Sequence, residues 1–552
     1  MGTMEDIDDK SSTSHISQDD ISVGTGECID DNAANDGLQR GLKSRHLQML
    51  AFSSVVGASV FNGTGAALAS SGPLGALLSF LLIGIDVFFV SQSLAEMCAL
   101  FPGVRGAFLS LAARFVDPAL AFALGTTYYA LWVSSIAHDY NSLARAVGRW
   151  TSPAVPPWAW VLVFWALFQG VSVLGAAVYG DIMLVLTSWK LLCVAGGFVL
   201  AILLNTGAIS SSGEYLGFRY WRDPGAVTNG VGGFASSLVL AAVYFGGTEM
   251  VALTAAESRD PHRDVPRAIR RSFWRIAATF VGLVFFAGII VPFDDAGLLA
   301  ETSDKAARSP WTIALVQAGW ADASNLLNAV MIVAALSSVN SAIYVSSRVL
   351  ASLAAGGRAP ALFARTTAGG VPLNAVLLSN AFGLVALVNN CSTAAAEEEP
   401  GQVFGFLINF CDTAAFITWA AIGVMHLRLR RAWTVQGRSA EELPYRAFLY
   451  PYGAWFVVAL NLFLVLISGY DAFSGSFDIV GFLDSYAVVL VFVILFFGWR
   501  VYKRTSIVPL AEADLATGRD VFMIKEKMED TVSDKKANRI SWHNQLKRAA
   551  FG

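Results

Sequence analysis

Six ionisable side chains stand inside runs of otherwise apolar residues: Asp86 in LIGIDVFFV, His138 and Asp139 in AHDYNSLAR, Lys190 in LTSWKLLCV, Glu249 in VYFGGTEMV and Asp412 in NFCDTAAF. A charge at the middle of a membrane span costs about 2.5–3.5 kcal/mol on insertion scales, so each is a candidate for function. Lys190 lies too far from either end of its run to reach the interface. It can carry a proton through a cycle, or stand as a fixed charge tying neighbouring helices together. Glu249 can pair with an ammonium group, relay a proton or cap a broken helix. Asp86 and Asp412 suit a cationic partner or, protonated, a hydrogen bond to a neighbouring helix. His138 titrates near physiological pH when unperturbed, and a lone histidine is as readily a hydrogen-bonded core residue.

Two glycine-rich stretches are placed to use these groups. Residues 57–65 read Gly57-Ala58-Ser59-Val60-Phe61-Asn62-Gly63-Thr64-Gly65, and residues 245–249 read Phe245-Gly246-Gly247-Thr248-Glu249. Each interrupts an apolar run where lipid would demand unbroken backbone hydrogen bonding, and such breaks are tolerated only inside protein or beside a cavity. A face for close helix packing is the simpler alternative for either stretch alone. The breaks fall in the first and sixth apolar runs, the spacing of inverted-repeat transporters whose half-helix ends meet the substrate near the midplane. Free N–H groups suit a carboxylate, and facing carbonyls suit an ammonium group or cation. A zwitterionic amino acid satisfies both. The substrate-binding candidates are therefore Gly57, Ala58, Ser59, Phe61, Phe245, Gly246, Gly247 and Thr248. Lys190, Glu249, Asn340 and Ser341 are the coupling or gating candidates, and His138, Asp139, Asp86 and Asp412 bear on specificity.

The rest of the chain must hold these residues in a bilayer. Of 552 residues, 55% are hydrophobic and only 14% are charged, and the mean hydropathy is +0.55. A soluble domain carries about 25% charged residues. At about 20 residues per span, the apolar runs give about twelve helices: 49–69, 74–99, 119–145, 157–178, 181–204, 233–256, 273–293, 323–351, 372–391, 403–427, 452–470 and 480–501. The fold expected is all-α and polytopic, with a five-plus-five inverted repeat and broken first and sixth helices. Residues 1–40 read as a disordered acidic tail, 41–505 as the transporter domain and 506–552 as a polar C-terminal tail. Arg259–Arg275, Arg428–Arg431 and Arg500–Arg504 cluster at one set of helix ends, while Asp294, Asp295 and Glu397–Glu399 mark the other. The positive-inside rule places both termini in the cytoplasm. Cys28, Cys98, Cys193, Cys391 and Cys411 show no metal spacing, no motif calls for a cofactor, and no basic reading surface suggests nucleic acid. An enzyme has little support, because no metal cluster or nucleophile elbow is present.

The order of several motifs resembles the fungal amino acid permeases of the amino acid–polyamine–organocation superfamily, the yeast amino acid transporter group. They are GLKSRHLQM (Gly41–Met49), SLAEM (Ser93–Met97), RFVDPALAFALG (Arg114–Gly125), GGTEMVALTAAESRDP (Gly246–Pro261), VPRAIRRSFWRI (Val265–Ile276), NSAIYVSSRVL (Asn340–Leu350) and LPYRAFLYPYGAW (Leu443–Trp455). The resemblance implies proton-driven uptake of amino acids by alternating access, at the plasma membrane. It matches Lys190 to a recurrent lysine of the fifth helix, which in related transporters takes the place of a coupling sodium ion. It also aligns Asp139 with a glutamate of the third helix. Asp86 and Asp412 stand where the family has uncharged residues. Gly57-Ala58-Ser59-Val60-Phe61 departs from the family's Gly-Thr-Gly-Leu-Phe, putting a Cβ near the substrate's expected backbone. A non-transporting sensor or a uniporter on the same fold is the alternative.

Overall fold

The computed structural model describes residues 44–519 except 58–59, 103, 105, 152–154, 174–175, 210–212, 254–260, 300–306, 368, 392–401 and 474–476. The tail over 1–40, Ala58, Ser59 and the chain beyond 519 therefore lie outside the described residues.

Among the described residues every regular element is a helix. The first apolar run is divided between α1 (Ser44–Val55) and the start of α2 (Val60–Leu100), and the rest of α2 is the second run. The chain turns inside α2 at Gly72, where φ is 75°, and Pro73 follows. Only glycine takes that φ without strain, and a Cβ there would lie 2.8 Å from the Ala226 carbonyl oxygen. Next come α3 (Phe108–Phe115), α4 (Pro118–Gly148), α5 (Pro157–Val173) and α6 (Ala176–Asn205). Asp117 caps α4 by accepting from the Ala119 N–H at 2.8 Å, with Pro118 in the first turn.

The short α7 (Arg219–Arg222) precedes the second broken run, α8 (Gly230–Phe245) and α9 (Met250–Leu253). Then follow α10 (Pro261–Ile290), α11 (Ala296–Leu299), α12 (Pro310–Gln317), α13 (Ala323–Ala355), α14 (Leu373–Phe382), α15 (Ala386–Cys391), α16 (Gln402–Val435), α17 (Tyr452–Ile467) and α18 (Ile479–Lys503). Among the described residues, eight helices are long and apolar enough to cross a membrane, and shorter apolar helices occupy 157–173, 373–388 and 452–467. The protein is an all-α polytopic membrane protein.

Two packing groups frame the breaks. The long α2 lies along α8 and α10, while α4 lies along α13 and α16; α1 sits among α6, α10 and α13. Two features escape a reading by apolar length. The eight-residue α12, too short to span, is buried along Pro310–Leu315, and the Ser309 hydroxyl donates to the Phe61 carbonyl at 2.8 Å. The chain also goes on packing past residue 505. The Thr505 hydroxyl donates to Asp117, the Val508 N–H donates to the Val116 carbonyl at 2.9 Å, and Ala513 and Leu515 are buried.

Candidate substrate and coupling site

The two breaks lie against each other. Past α1, the Val56 N–H closes a last turn on the Phe52 carbonyl, and the Gly57 N–H turns to the Val55 carbonyl. Beyond α8, Gly247 has a φ of 93°, and a Cβ on it would lie 3.2 Å from Trp132 of α4 and 3.7 Å from Val55 Cγ2. The left-handed backbone and the close approach of two helices both require glycine there. A Cβ on Gly246 would meet Ala415 of α16 at 3.9 Å, and one on Gly63 would fall 1.6 Å from the Tyr244 hydroxyl oxygen. The small residues thus mark where α4, α8 and α16 close on the interrupted backbone. Thr248 is buried beside Gly247, and its Oγ1 has no hydrogen-bond partner among the described residues. Phe61 is buried at the start of α2. Phe245 turns into the core instead, its ring centroid 4.8 Å from that of Phe280 and 6.3 Å from that of Phe80.

Lys190, from the middle of α6, reaches the end of α1. Its Nζ donates to the Ser53 carbonyl at 3.0 Å and the Val56 carbonyl at 2.6 Å. A helix leaves its last four carbonyls unpaired and carries partial negative charge at that end, so the ammonium satisfies the break both as donor and as charge. Ser53 extends the link to α13: its hydroxyl bonds that of Ser337 and accepts from Ser341 at 3.2 Å. Asp139 of α4 is hydrogen-bonded to Ser338 and interacts electrostatically with Lys190. The structure therefore gathers Lys190, Asp139 and Ser341 around the first break. Asn340 turns its side-chain amide nitrogen toward Met183 Sδ at 3.1 Å, its backbone carbonyl accepts from the Tyr179 hydroxyl, and its Oδ1 has no partner among the described residues. His138, next to Asp139 in the chain, is half-buried.

Glu249 is enclosed by donors. The Tyr128 hydroxyl donates to Oε1 at 2.8 Å and Trp419 Nε1 donates to Oε2 at 2.9 Å. The N–H groups of Gly247 and Glu249 also bond the carboxylate. Through these bonds the carboxylate ties the second break to α4 and α16. Sequence alone does not single out Tyr128 and Trp419, because an aromatic donor in an apolar helix reads as core. Asp86 is buried away from the breaks, accepting from Asn461 of α17 at 2.8 Å. Asp412 is half-buried in α16, within electrostatic range of Tyr244. At the far end of α2, Glu96 is held by Arg430 at 2.8 Å, His426 at 3.2 Å and the Ala447 N–H at 2.7 Å.

Comparison with known proteins agrees with this architecture. Residues 46–511 match the family model described as amino acid permease. The general amino acid permease AGP3 of Saccharomyces cerevisiae is 37% identical over 507 residues, covering 92% of this chain and 88% of the relative. The lysine-specific permease of the same yeast is 33% identical over 496 residues, covering 87% and 79%. A mutant of the Eremococcus coleocola manganese transporter superposes with a TM-score of 0.50 at 13% identity, covering 87% of this chain and 97% of that one. With the family model spanning both breaks and the lysine that binds the first, the chain belongs to the amino acid permease family.

Proposed function

We propose that this permease imports amino acids by proton symport, with the two breaks exposed in turn to either side of the membrane. The observation that carries the reading is Lys190 on the carbonyl end of the first break. Loss of its proton removes the cation that holds α6 to α1, so protonation and the closure of the break are linked. Asp139, hydrogen-bonded to Ser338, lies within electrostatic range of this group and is the candidate partner for its proton. The substrate's carboxylate is read onto the N–H groups that open α2, and its ammonium onto the carbonyls that close α8. Thr248 Oγ1 supplies a further polar contact at the same level. The interrupted backbone gives each half-helix a hinge of its own, which rigid unbroken spans would lack.

Both termini are read as cytoplasmic and the membrane as the plasma membrane. Arg428 and Arg430 stand on the same end of the bundle as Val508 and the α3–α4 corner, and positive charge favours the cytoplasmic side. The test is uptake of labelled amino acids in cells lacking their own permeases, with and without a pH gradient. Saturable uptake abolished when the gradient is dissipated is the expected result. Uptake indifferent to the gradient overturns proton coupling, and binding without uptake overturns import in favour of a sensor.

A further inference from the structure

Every deep carboxylate described above has a protein partner except one. Asp86 has Asn461, Glu96 has Arg430, Asp139 has Ser338, and Glu249 has Tyr128 and Trp419. Among the described residues Asp412 has no hydrogen-bond or ion-pair partner, and it is half-buried in α16. A carboxylate partly withdrawn from water is costly unless it is paired, and a cation from outside the protein fabric would pair it.

The direction it faces follows from α16. Residues three or seven apart share one face of a helix. On this face Trp419 binds Glu249 below the second break, and Ala415 stands against Gly246 at the break itself. Asp412 is one turn further, about 4.5 Å along the axis, within electrostatic range of Tyr244 of α8. Tyr244 in turn lies over Gly63 of α2. The face that closes on the breaks thus ends in an unpaired acceptor, within electrostatic range of a phenol whose oxygen can accept from a cation.

We propose that Asp412, with Tyr244, forms a subsite for a positively charged substrate side chain, an ammonium or guanidinium group. This rests on the breaks being the substrate site: with the substrate's α-groups there, a long side chain directed along α16 meets Asp412 one turn away. Asp86, a second intramembrane carboxylate, takes no part because it lies away from the breaks, where Asn461 donates to its Oδ2.

The test is uptake into proteoliposomes of the purified protein under an imposed proton gradient, with labelled lysine, arginine and leucine. The wild type is expected to favour lysine and arginine over leucine. Asp412→Asn is expected to shift the lysine-to-leucine ratio of kcat/KM toward leucine by about tenfold or more, while Asp86→Asn leaves the ratio within about twofold. If Asp412→Asn is not recovered folded, Asp412→Glu, which keeps the charge, is expected to retain the cationic preference and Asp412→Ser to lose it. A ratio unchanged on loss of the charge overturns the subsite, as does a wild type that prefers leucine, and both leave the transport reading standing. A wild type that takes up neither lysine nor arginine likewise overturns the subsite, and only one that takes up no member of a full panel of labelled amino acids overturns the transport reading.

Discussion

Lys190 and Glu249 do opposite work at the two breaks. One is a cation on orphan carbonyls; the other is an anion among N–H and O–H donors. Removing either leaves buried polar groups unsatisfied, at about 1–3 kcal/mol apiece. Trp419→Phe is therefore expected to lower thermal stability in detergent by about 1–3 kcal/mol, because Glu249 Oε2 loses its indole donor. An unchanged melting profile would mean that the indole N–H is dispensable. Lys190→Met distinguishes a structural tie from a coupling role. If the lysine carries the proton, net uptake driven by the gradient falls about tenfold or more while exchange of internal for external substrate survives. If it is only a tie, both fall together.

At the scale of elements, the breaks depend on glycines that admit a neighbour. Gly63→Ala is expected to abolish uptake, since the new Cβ falls on the Tyr244 hydroxyl. Adding Tyr244→Ala to Gly63→Ala should restore folding and part of the uptake, a coupling of about 0.5–3 kcal/mol in a double-mutant cycle. Additive losses would show that α2 and α8 do not meet at this point. The interruptions themselves were legible in the sequence, because glycine and hydroxyl residues in a lipid-facing run contradict what a plain anchor needs. So were the helices, since apolar length alone marks a span. The groups that fasten the breaks were not. Tyr128, Trp419 and Asn461 belong to residue types common in helix packing, and only three-dimensional neighbours separate a donor from filler. The eight residues of α12 are apolar but far short of a span, so length argued against seeing them as buried structure. Asp86 and Asp412 are alike in sequence and differ in the structure: one is fully buried against Asn461, the other half-buried on the face of α16 that meets the second break.

Across the whole molecule, the stretch after α18 is a strap rather than a free tail as far as residue 519. It crosses the end of the bundle formed by the α3–α4 corner and the last turns of α16. Arg428 donates to the carbonyls of Phe115 and Val508, Gln436 donates to those of Leu510 and Ala513, and Arg114 pairs with Asp514 at 2.8 Å. No apolar periodicity announces it, because its order comes from arginines and glutamine binding its backbone. Asp514 is the clasp. Burial alone would raise its carboxyl, but the N–H and hydroxyl of Thr517, the Ala516 N–H and Arg114 together hold it at about 2. The ordinary aspartate value is about 3.9, so the ionised form's contribution is complete above that value and is lost as pH falls from there toward about 2. Amide exchange over 508–519, corrected for intrinsic rates, should stay slow from neutral pH down to about 5. Asp514→Asn should speed it at neutral pH by releasing Arg114, while the interiors of α4 and α13 stay protected. A strap as protected in Asp514→Asn would show that its backbone contacts with Arg428 and Gln436 hold it without the clasp, and one that loosens near neutral pH in the wild type would show that the ionised clasp does not hold it.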